Sequence, residues 1–409
     1  MATPQHHGDF ATMRLTIPDY CLVALLGRRG DDVSEAVARW FAPAETTGLA
    51  ACRAVAGLDG TGDVADGIER LLHEVVGLRL QHRHLTLVDG HDLGRQQRAA
   101  LVATARRNYA RPIALLLQAH HAESAYAHLH DEGFREVLTI PAAQPLADVD
   151  IVRERLPCDV RHERGPFDII GDIHGCCDEL EELLARLGYR IAWGRDDGER
   201  TVRVEAPAGR RVIFLGDLVD RGPRAPDVMR IVMAMTNAAQ AFCVLGNHDA
   251  KFLRWLNGRN VKIAYGNGAT IAQMQGDSPR LRQECAKFLD GLPVQLWLDG
   301  GRLAVAHAGL REEMVGRHTG AVREFCLYGE TKEGDDPEDP VARDGWIHDY
   351  RGMVHVAYGH VPRLEAVWVG RTIGLDTACV FGGSLTALRW PERDIVQVPA
   401  RQRYASHGP

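Results

Sequence analysis

Five short stretches of the chain place potential metal-binding side chains next to glycines. In the first, residues 167–179, Asp172 and His174 are two positions apart, and in an extended segment this spacing puts both side chains on one face. A carboxylate and an imidazole on one face form half of a metal site. The other four stretches are Gly216-Asp217-Leu218-Val219-Asp220-Arg221-Gly222, Gly246-Asn247-His248-Asp249, His307-Ala308-Gly309 and Gly359-His360.

The five stretches together contain the ligands of a two-metal site. Two divalent ions need oxygen and imidazole ligands and one carboxylate that bridges the ions at about 3.5–4 Å. We predict that Asp172 and His174 hold one ion and that Asp217 bridges the two. Because the set contains no thiolate, it favours Mn²⁺, with Ni²⁺, Fe and Zn²⁺ as alternatives. The second ion is expected on Asn247, His307 and His360.

Three further residues would complete a site for phosphoryl transfer. A water between two such ions is acidified to a hydroxide nucleophile, and Arg221 would neutralise charge that grows on a phosphoryl group. His248 is the candidate general acid for the leaving oxygen, and Asp220 would orient its ring by accepting the other N–H. Taken singly, each residue has a structural interpretation as a cap, a turn former or a satisfied histidine. Their joint occurrence in this order predicts one catalytic site.

Apolar segments typical of β-strands precede these stretches. Open α/β sheets place their binding sites at the carboxyl ends of strands, so the elements would bring the five stretches together. A helix over residues 180–187 and a hairpin with a glycine-bounded loop at 194–198 are predicted between the first two stretches. The predicted strands begin at 167 and cover 211–215, 242–245, 303–306 and 355–358, with hairpin strands at 189–193 and 202–206.

The first part of the chain has the local pattern of a phosphate-binding loop with altered residues. An apolar run at 21–26 ends at Gly27 and precedes an amphipathic helical pattern, as in a P-loop. In the motif Gly-x-x-x-x-Gly-Lys-Ser/Thr, however, Asp32 stands at the second glycine and Val33 at the lysine, and Ser34 alone matches. Added carboxylates and a lost ammonium would repel a triphosphate, so we expect no nucleotide hydrolysis here.

The remaining elements of this part alternate between strand and helix. That alternation indicates a mostly parallel sheet covered by helices. Residues 141–166 contain several prolines, and we predict that they form a linker with one short helix. The predicted elements are strands at 85–88 and 112–117, with helices at 36–41 and 97–108.

The composition is that of a globular protein of more than one domain. The 409 residues are 45% hydrophobic and 25% charged, and the net charge of −7 argues against a broadly basic, nucleic-acid-coating surface. No apolar run reaches the about 18–20 residues of a membrane span, and residues 1–10 lack the features of a signal peptide. Nine cysteines without a Cys-x-x-Cys pair indicate reduced thiols, with Cys176 and Cys177 packing rather than ligating. We therefore expect a cytoplasmic protein with no membrane contact; its oligomeric state is left open.

The motifs Gly-Asp-Ile-His-Gly, Gly-Asp-Leu-Val-Asp-Arg-Gly, Gly-Asn-His-Asp and His-Ala-Gly are similar to the signature of the calcineurin-like metallophosphoesterases of the phosphoprotein-phosphatase type. The resemblance implies a β-sandwich flanked by helices, with a two-metal site. Residues 167–400 further resemble the phosphatase module of the bacterial polynucleotide kinase-phosphatases, which are RNA repair proteins, notably in Asp290-Gly291-Leu292-Pro293, Leu327-Tyr328-Gly329-Glu330 and the segment 374–388.

This second resemblance also implies roles for individual residues. Arg221 matches a phosphate contact, and Asp376 matches a position that supports the site, although a strand-end cap is an equal alternative for Asp376. The residues that match metal ligands or reacting groups are Asp172, His174, Asp217, Asn247, His248, His307 and His360.

The N-terminal part resembles the P-loop kinase module of the same proteins after decay. Val33 replaces the phosphate-binding lysine and Ala50 falls at the general-base aspartate, while an arginine-rich lid is missing between Gln118 and Glu123. No counterpart of their ligase module is expected after Ala400. The resulting α/β prediction is a degenerate P-loop three-layer α/β/α domain at 1–140, a linker at 141–166, a metallophosphoesterase α/β/β/α sandwich at 167–400 and a tail at 401–409.

The leading functional prediction is a two-metal phosphatase or phosphodiesterase acting on 3′-phosphate or 2′,3′-cyclic phosphate ends of RNA, or on related nucleotides. Alternatives with the same core motifs are a diadenosine tetraphosphate hydrolase and a serine/threonine protein phosphatase. A nucleotide- or RNA-binding scaffold without catalysis is a third possibility from another class. The expected partners are a phosphorylated nucleic-acid or nucleotide substrate and RNA-repair proteins.

Overall fold

The computed structural model describes residues 12–58, 65–118, 126–332, 334 and 343–406. The chain divides into two compact units. Unit 1 comprises Met1–Leu156 with Arg317–Thr319, and unit 2 comprises Pro157–Gly316 with Gly320–Pro409. Within the described ranges, no helix combines the length and the apolar character needed to cross a membrane.

Unit 1 is built on a parallel sheet with strand order β3-β4-β2-β5-β6. The strand β2 is buried along nearly its whole length, as expected for the centre of a parallel sheet. The strands and helices of this unit are β1 (Met13–Pro18), β2 (Cys21–Gly27), α1 (Asp31–Trp40), β3 (Thr46–Gly48), α2 (Leu49–Val55), α3 (Ala65–Gln81), β4 (Thr86–Asp89), α4 (Arg95–Arg107), β5 (Arg111–Leu117), β6 (Glu136–Ile140) and β7 (Val149–Glu154).

The predicted linker over residues 141–166 is wrong in its first half. β7 pairs in parallel with β1, from Met13 opposite Val149 to Pro18 opposite Glu154, and residues up to Leu156 belong to unit 1. Val149 is fully buried in the same apolar core as β2, and this burial stabilises the pairing. The two-stranded ribbon joins distant parts of the chain, so local proline content gave a misleading signal.

Unit 2 supplies the strands that precede the predicted ligands. Its strands are β8 (Phe167–Ile170), β9 (Arg190–Asp196), β10 (Glu199–Glu205), β11 (Arg211–Phe214), β12 (Ala241–Cys243), β13 (Gln295–Leu298), β14 (Leu303–Ala306), β15 (His355–Tyr358), β16 (Trp368–Val369), β17 (Thr372–Gly374), β18 (Ser384–Trp390) and β19 (Asp394–Pro399). Its helices are α5 (Cys177–Arg186), α6 (Ala225–Asn237), α7 (Asn247–Leu256), α8 (Asn267–Gln275), α9 (Pro279–Asp290) and α10 (Gly320–Tyr328).

Two five-stranded mixed sheets form the centre of unit 2. Their strand orders are β12-β11-β8-β18-β19 and β13-β14-β15-β17-β16. One buried apolar cluster contains Ile169 and Ile213 from the first sheet together with Val305 and Ile373 from the second, so the sheets share a core. Helix α5 packs on β18 and β19, and α6 packs on β12. The predicted sandwich with flanking helices is therefore present.

The β9–β10 hairpin is tighter than the sequence indicated. Pairing continues to Asp196 opposite Glu199, so the turn consists of Asp197 and Gly198 rather than a loop at 194–198. Both turn residues have positive φ, 48° and 82°, which suits the two-residue turns that match the twist of a hairpin. Gly194 lies inside the strand opposite Thr201 instead of starting the loop.

Candidate metal centre and catalytic groups

Five loops that follow strands of unit 2 carry the predicted ligands to one place. Among the residues of these loops, His174, Asp217 and His360 have φ values of 46°, 47° and 68°, in the left-handed region that side chains rarely adopt. Each such conformation costs on the order of 1–3 kcal/mol and persists only where the surrounding structure imposes it. Strained backbone at three predicted ligand positions marks this as a site under functional constraint.

Asp217 lies between two histidines and directs one oxygen toward each. Its Oδ2 is 3.4 Å from Nε2 of His174, and its Oδ1 is 3.4 Å from Nε2 of His307. Both rings donate their other N–H to backbone carbonyl oxygens, His174 to Val219 at 2.9 Å and His307 to Leu215 at 3.0 Å. These hydrogen bonds leave both Nε2 lone pairs facing Asp217, which is the arrangement of a bridging carboxylate with its two histidine neighbours.

A second set of acceptor atoms converges around His307. Its Nε2 is 2.8 Å from Oδ1 of Asn247 and 3.1 Å from Nδ1 of His360. His360 Nδ1 is also 3.2 Å from Oδ1 of Asn247. Because the proton of His307 is on Nδ1, the ring proton of His360 is the one hydrogen that these acceptor atoms could share. A divalent cation would bind all of them, so this set of ligand atoms fits such an ion.

Asp172 stands apart from the two close groups of potential ligand atoms. The close groups of potential ligand atoms are His174, Asp217 and His248 on one side and Asp217, His307 and His360 on the other, and within the described part of the chain Asp172 belongs to neither group. Its Oδ2 accepts the backbone N–H of His360 at 3.0 Å. Its Oδ1 is buried without a hydrogen-bond partner in the part of the protein that the structure describes. This oxygen occupies the space that a side chain at position 359 would fill. This orphaned carboxylate oxygen fits an ion ligand.

Without a bound ion, the electrostatics of the cluster favour the uncharged forms of its carboxyl and imidazole groups. Burial raises the pKa of Asp172 and Asp217 well above the ordinary value, and neighbouring carboxylates add to both shifts. Burial likewise lowers the pKa of His174 and His307 well below the ordinary value, and that of His360 to about 4. Neutral imidazoles are the form that binds metal, and a bound cation would return the carboxyls to their charged form.

His248 and Asp220 form a buried pair beside this cluster. Nδ1 of His248 is 2.7 Å from Oδ2 of Asp220, and the backbone N–H of His248 donates to Oδ1 of Asp217 at 3.1 Å. Burial raises the pKa of Asp220 to about 7. A hydrogen bond with Thr270 and the positive charges of Arg221 and Lys251 offset part of this shift. Because Nδ1 is held by Asp220, Nε2 of His248 is the ring nitrogen available to a reacting group.

Arg221 reaches the same cluster from the loop after β11. Its Nη1 donates to Nε2 of His174, and its guanidinium lies 5.2 Å from the ring centroid of Phe381. Its backbone N–H donates to the carbonyl of Gly266 at 3.2 Å, and a side chain at Gly266 would collide with Arg221. The guanidinium is thus held at the ligands by contacts on two sides.

Asp376 forms a local turn close enough to Asp172 to affect its pKa. Its Oδ1 accepts the backbone N–H of Ala378 at 2.9 Å, which is the cap interpretation. Its charge also acts on Asp172, as the largest contribution after burial to the raised pKa of that carboxyl. Asp376 thus shapes a turn and affects the charge state of Asp172, and its role in supporting the site stays a prediction.

Sequence reasoning missed two features around the site. Asp249 is fully buried and ties two ligand loops together, since its Oδ1 accepts from Leu218 N–H at 2.9 Å and its Oδ2 from Gly246 N–H at 3.1 Å. Its position in the first turn of α7 was the available signal, because an acidic residue there caps a helix. The nine cysteines are all free and buried, but Cys176 lies in a close group of potential ligand atoms with Glu179 and Cys379.

In unit 1, part of the predicted P-loop lines a cavity of about 410 Å³, whereas Asp32 lines another cavity. Val33, Ser34 and Ala50 all contribute to the wall of the first cavity, together with Asp89. A cation among its lining residues, Arg29, is paired with Asp92. The predicted loss of the arginine-rich lid falls on residues 119–123, outside the described residues.

The sandwich of unit 2 and the ligand set at its loops define a metal-dependent phosphoric ester hydrolase. A family profile described as calcineurin-like phosphoesterase matches residues 165–390, more than half of the chain. The chain belongs to the calcineurin-like phosphoesterase family. Its members use two divalent metal ions, which agrees with the two groups of ligand atoms that share Asp217.

Curated relatives match the same part of the chain. A protein of Anoxybacillus flavithermus, named bis(5′-nucleosyl)-tetraphosphatase PrpE (asymmetrical), is 39% identical over 244 residues, or 59% of this chain and 96% of the relative. Proteins with the same name from Geobacillus thermodenitrificans and Bacillus subtilis are 40% and 38% identical, and cover 57% and 58% of this chain and 94% and 96% of their own lengths. Each relative therefore spans little more than half of this chain.

Proposed function

We propose that unit 2 hydrolyses dinucleoside polyphosphates asymmetrically, releasing a nucleoside monophosphate from diadenosine tetraphosphate. The observation that carries the phosphoesterase chemistry is Asp217, which directs one oxygen to His174 and the other to His307, as a carboxylate between two ions must. The choice of nucleotide substrate is supported by the relatives, which match over nearly their whole lengths and are named for that reaction.

The proposed ligand assignment starts from the two close groups that share Asp217 and adds Asp172, whose buried Oδ1 has no hydrogen-bond partner in the described part of the chain. Asp172, His174 and Asp217 would hold one ion, and Asp217 would be shared with the second. Oxygen and imidazole donors without a thiolate favour Mn²⁺. When bound, the ions supply an acidified water and positive charge at the phosphoryl oxygens. The second ion is proposed to lie on Asn247, His307 and His360.

The chain's own residues bind the phosphoryl group and move a proton. Arg221, already aimed at the ligands, would pair with a phosphoryl oxygen by charge-assisted hydrogen bonds. His248 would carry the proton on Nε2 and donate it to the oxygen that leaves with the second nucleotide. Asp220 holds the ring by its Nδ1–H at 2.7 Å and would stabilise the positive charge while the proton is present.

For unit 1 we propose a P-loop kinase-like domain without phosphoryl transfer. The cavity wall carries Val33 where a lysine would contact the transferring phosphates and Ala50 where a carboxylate would act as general base. Arg29, which lines the same cavity, forms an ion pair with Asp92. Without a free positive charge and a base at these positions, the transition state for transfer has no stabilisation.

A second candidate substrate is an RNA end that carries a 3′-phosphate or a 2′,3′-cyclic phosphate. The motif resemblance over residues 167–400 and the kinase-like character proposed for unit 1 support this alternative. RNA-repair partners and a cytoplasmic location remain predictions that go with it. A substrate panel that includes a phosphopeptide would also detect a serine/threonine phosphatase activity.

The test is a substrate panel with Mn²⁺ and the full chain. It contains diadenosine tetraphosphate, 2′,3′-cyclic AMP, a 3′-phosphate RNA, a phosphopeptide and p-nitrophenyl phosphate. We expect the highest kcat/KM on diadenosine tetraphosphate, with equimolar AMP and ATP as products. A higher kcat/KM on either RNA-type substrate would transfer the assignment to RNA ends, and a preference for the phosphopeptide would contradict both nucleotide assignments.

A further inference from the structure

Lys251 is a buried cation without a hydrogen-bonding partner among the residues that the structure describes. It lies on α7 with only 7% of its surface exposed. Its Nζ lies 5.7 Å from the ring centroid of Tyr265, a contact with an aromatic face rather than with an acceptor. Lysines are seldom so buried unless an anion pairs with them, because removing an ammonium from water is costly.

Neither nearby carboxylate forms a hydrogen bond with Lys251. Both oxygens of Asp249 accept backbone N–H groups, from Leu218 and from Gly246. Oδ2 of Asp220 is bound to His248, and its Oδ1 is buried without a hydrogen-bond partner among the described residues. A lysine with a purely structural role would be expected to form an ion pair with such a group. Lys251 therefore keeps its capacity for an anion that is not part of the chain.

The position of Lys251 points to the leaving-group side of the reaction. It is three residues after His248 and four after Asn247, so one face of α7 presents all three side chains. Its charge acts on both Asp220 and His248. Tyr265, which Lys251 contacts, is followed by Gly266, whose carbonyl holds Arg221.

We propose that Lys251 binds the phosphate chain of the leaving nucleotide. The inference rests on the proposed function, in which His248 protonates the oxygen of that leaving group. In diadenosine tetraphosphate this oxygen is attached directly to further charged phosphates. In p-nitrophenyl phosphate and in RNA ends it is attached to a neutral phenol or ribose. Lys251 therefore selects substrates whose leaving group is itself a polyphosphate.

Three variants test the inference in the full chain with Mn²⁺: Lys251→Met, Lys251→Arg and, as a matched control, Lys287→Met on the exposed face of α9. We expect Lys251→Met to lower kcat/KM for diadenosine tetraphosphate by about 10–100-fold, as for loss of a charged hydrogen bond. The loss on p-nitrophenyl phosphate should be about threefold or less, because that leaving group has no phosphate to bind. Lys251→Arg should retain more of the tetraphosphate activity, and Lys287→Met should behave as the unaltered chain.

A second measurement decides the inference even if diadenosine tetraphosphate is not a substrate, an outcome that would contradict the proposed function alone. ATP is assayed as an inhibitor of p-nitrophenyl phosphate hydrolysis at constant free Mn²⁺, beside inorganic phosphate. We expect Lys251→Met to raise the inhibition constant for ATP by about tenfold or more and to change that for phosphate much less. Unchanged ATP inhibition, or parallel losses on all substrates and inhibitors, would overturn the inference.

Discussion

Nδ1 of His248 lies 2.7 Å from Oδ2 of Asp220, and both side chains are almost completely buried. The contact fixes which nitrogen of the imidazole faces the ligand cluster. It also places a carboxylate where it can stabilise the ring in its protonated form. The pair therefore has the geometry of a general acid with its orienting partner.

Replacement of His248 by alanine should affect substrates according to their leaving groups. The variant His248→Ala should lose about 100-fold or more in kcat on phenyl phosphate, whose basic phenolate leaves poorly without a proton, and far less on p-nitrophenyl phosphate, whose phenolate leaves without one. Steady-state kinetics on both substrates check this. Equal losses on the two would show that His248 does not protonate the leaving oxygen.

Arg221→Ala should raise KM and lower kcat together. The guanidinium is aimed at the ligand cluster, and a contact to the phosphoryl group that strengthens in the transition state contributes to both parameters. The combined loss in kcat/KM is expected to be about 100-fold, from a charged hydrogen bond of about 1.5–3 kcal/mol. A change confined to KM would indicate a contact of equal strength in the ground state and the transition state.

Unit 1 contains a buried ion pair whose disruption should destabilise it without affecting catalysis in unit 2. Arg98 and Glu132 form two hydrogen bonds, at 2.7 and 2.6 Å, and both side chains are buried. Glu132→Gln should lower the stability of unit 1 by about 3–5 kcal/mol, because Arg98 is left as an uncompensated buried charge.

Urea unfolding monitored by circular dichroism measures that loss, with p-nitrophenyl phosphate hydrolysis in parallel. The double variant Arg98→Met with Glu132→Met is the control, and it should lose less than the sum of the single changes. If hydrolysis falls together with the stability of unit 1, the two units are coupled in a way that this prediction excludes.

Radiolabelled ATP and an RNA with a 5′-hydroxyl test the proposed inactivity of unit 1. If Val33 and Ala50 of the cavity wall stand where a kinase would need its lysine and its general base, as proposed, no labelled RNA should form at any Mn²⁺ or Mg²⁺ concentration. The variant Ser34→Ala is the control for any signal that does occur. Transfer that disappears in Ser34→Ala would overturn the assignment of unit 1 as catalytically silent.

The features of the structure that the sequence predicted correctly are those that local sequence patterns determine. Strands at 303–306 and 355–358 were predicted with their observed bounds, since short apolar runs end at glycine-containing turns. The meeting of His307 and His360 also followed from the sequence, because β14 and β15 are neighbours whose carboxyl ends share an edge, whereas Asp217 reaches them from β11 of the other sheet. Their roles as ligands remain a prediction for experiment.

What escaped prediction depends on contacts between distant positions. The pairing of Val149 with Met13 could not be read from local composition, which suggested a linker instead. Among the described residues Lys251 has no hydrogen-bond partner, and the engagement of Asp249 by two backbone N–H groups contributes to this in a way that no spacing reveals. Asp172 lies outside the two close groups because its loop aims one oxygen at the backbone of His360.

The central claim is that two ions share Asp217, and metal analysis combined with activity tests it most directly. The chain treated with EDTA should be inactive, and Mn²⁺ should restore hydrolysis of p-nitrophenyl phosphate with about two ions bound per chain. Asp217→Ala should lose activity by a factor of about 1,000 or more and bind fewer than two ions under the same conditions. Hydrolysis by Asp217→Ala that persists under chelation, or an unchanged count of two ions in that variant, would contradict the two-metal account.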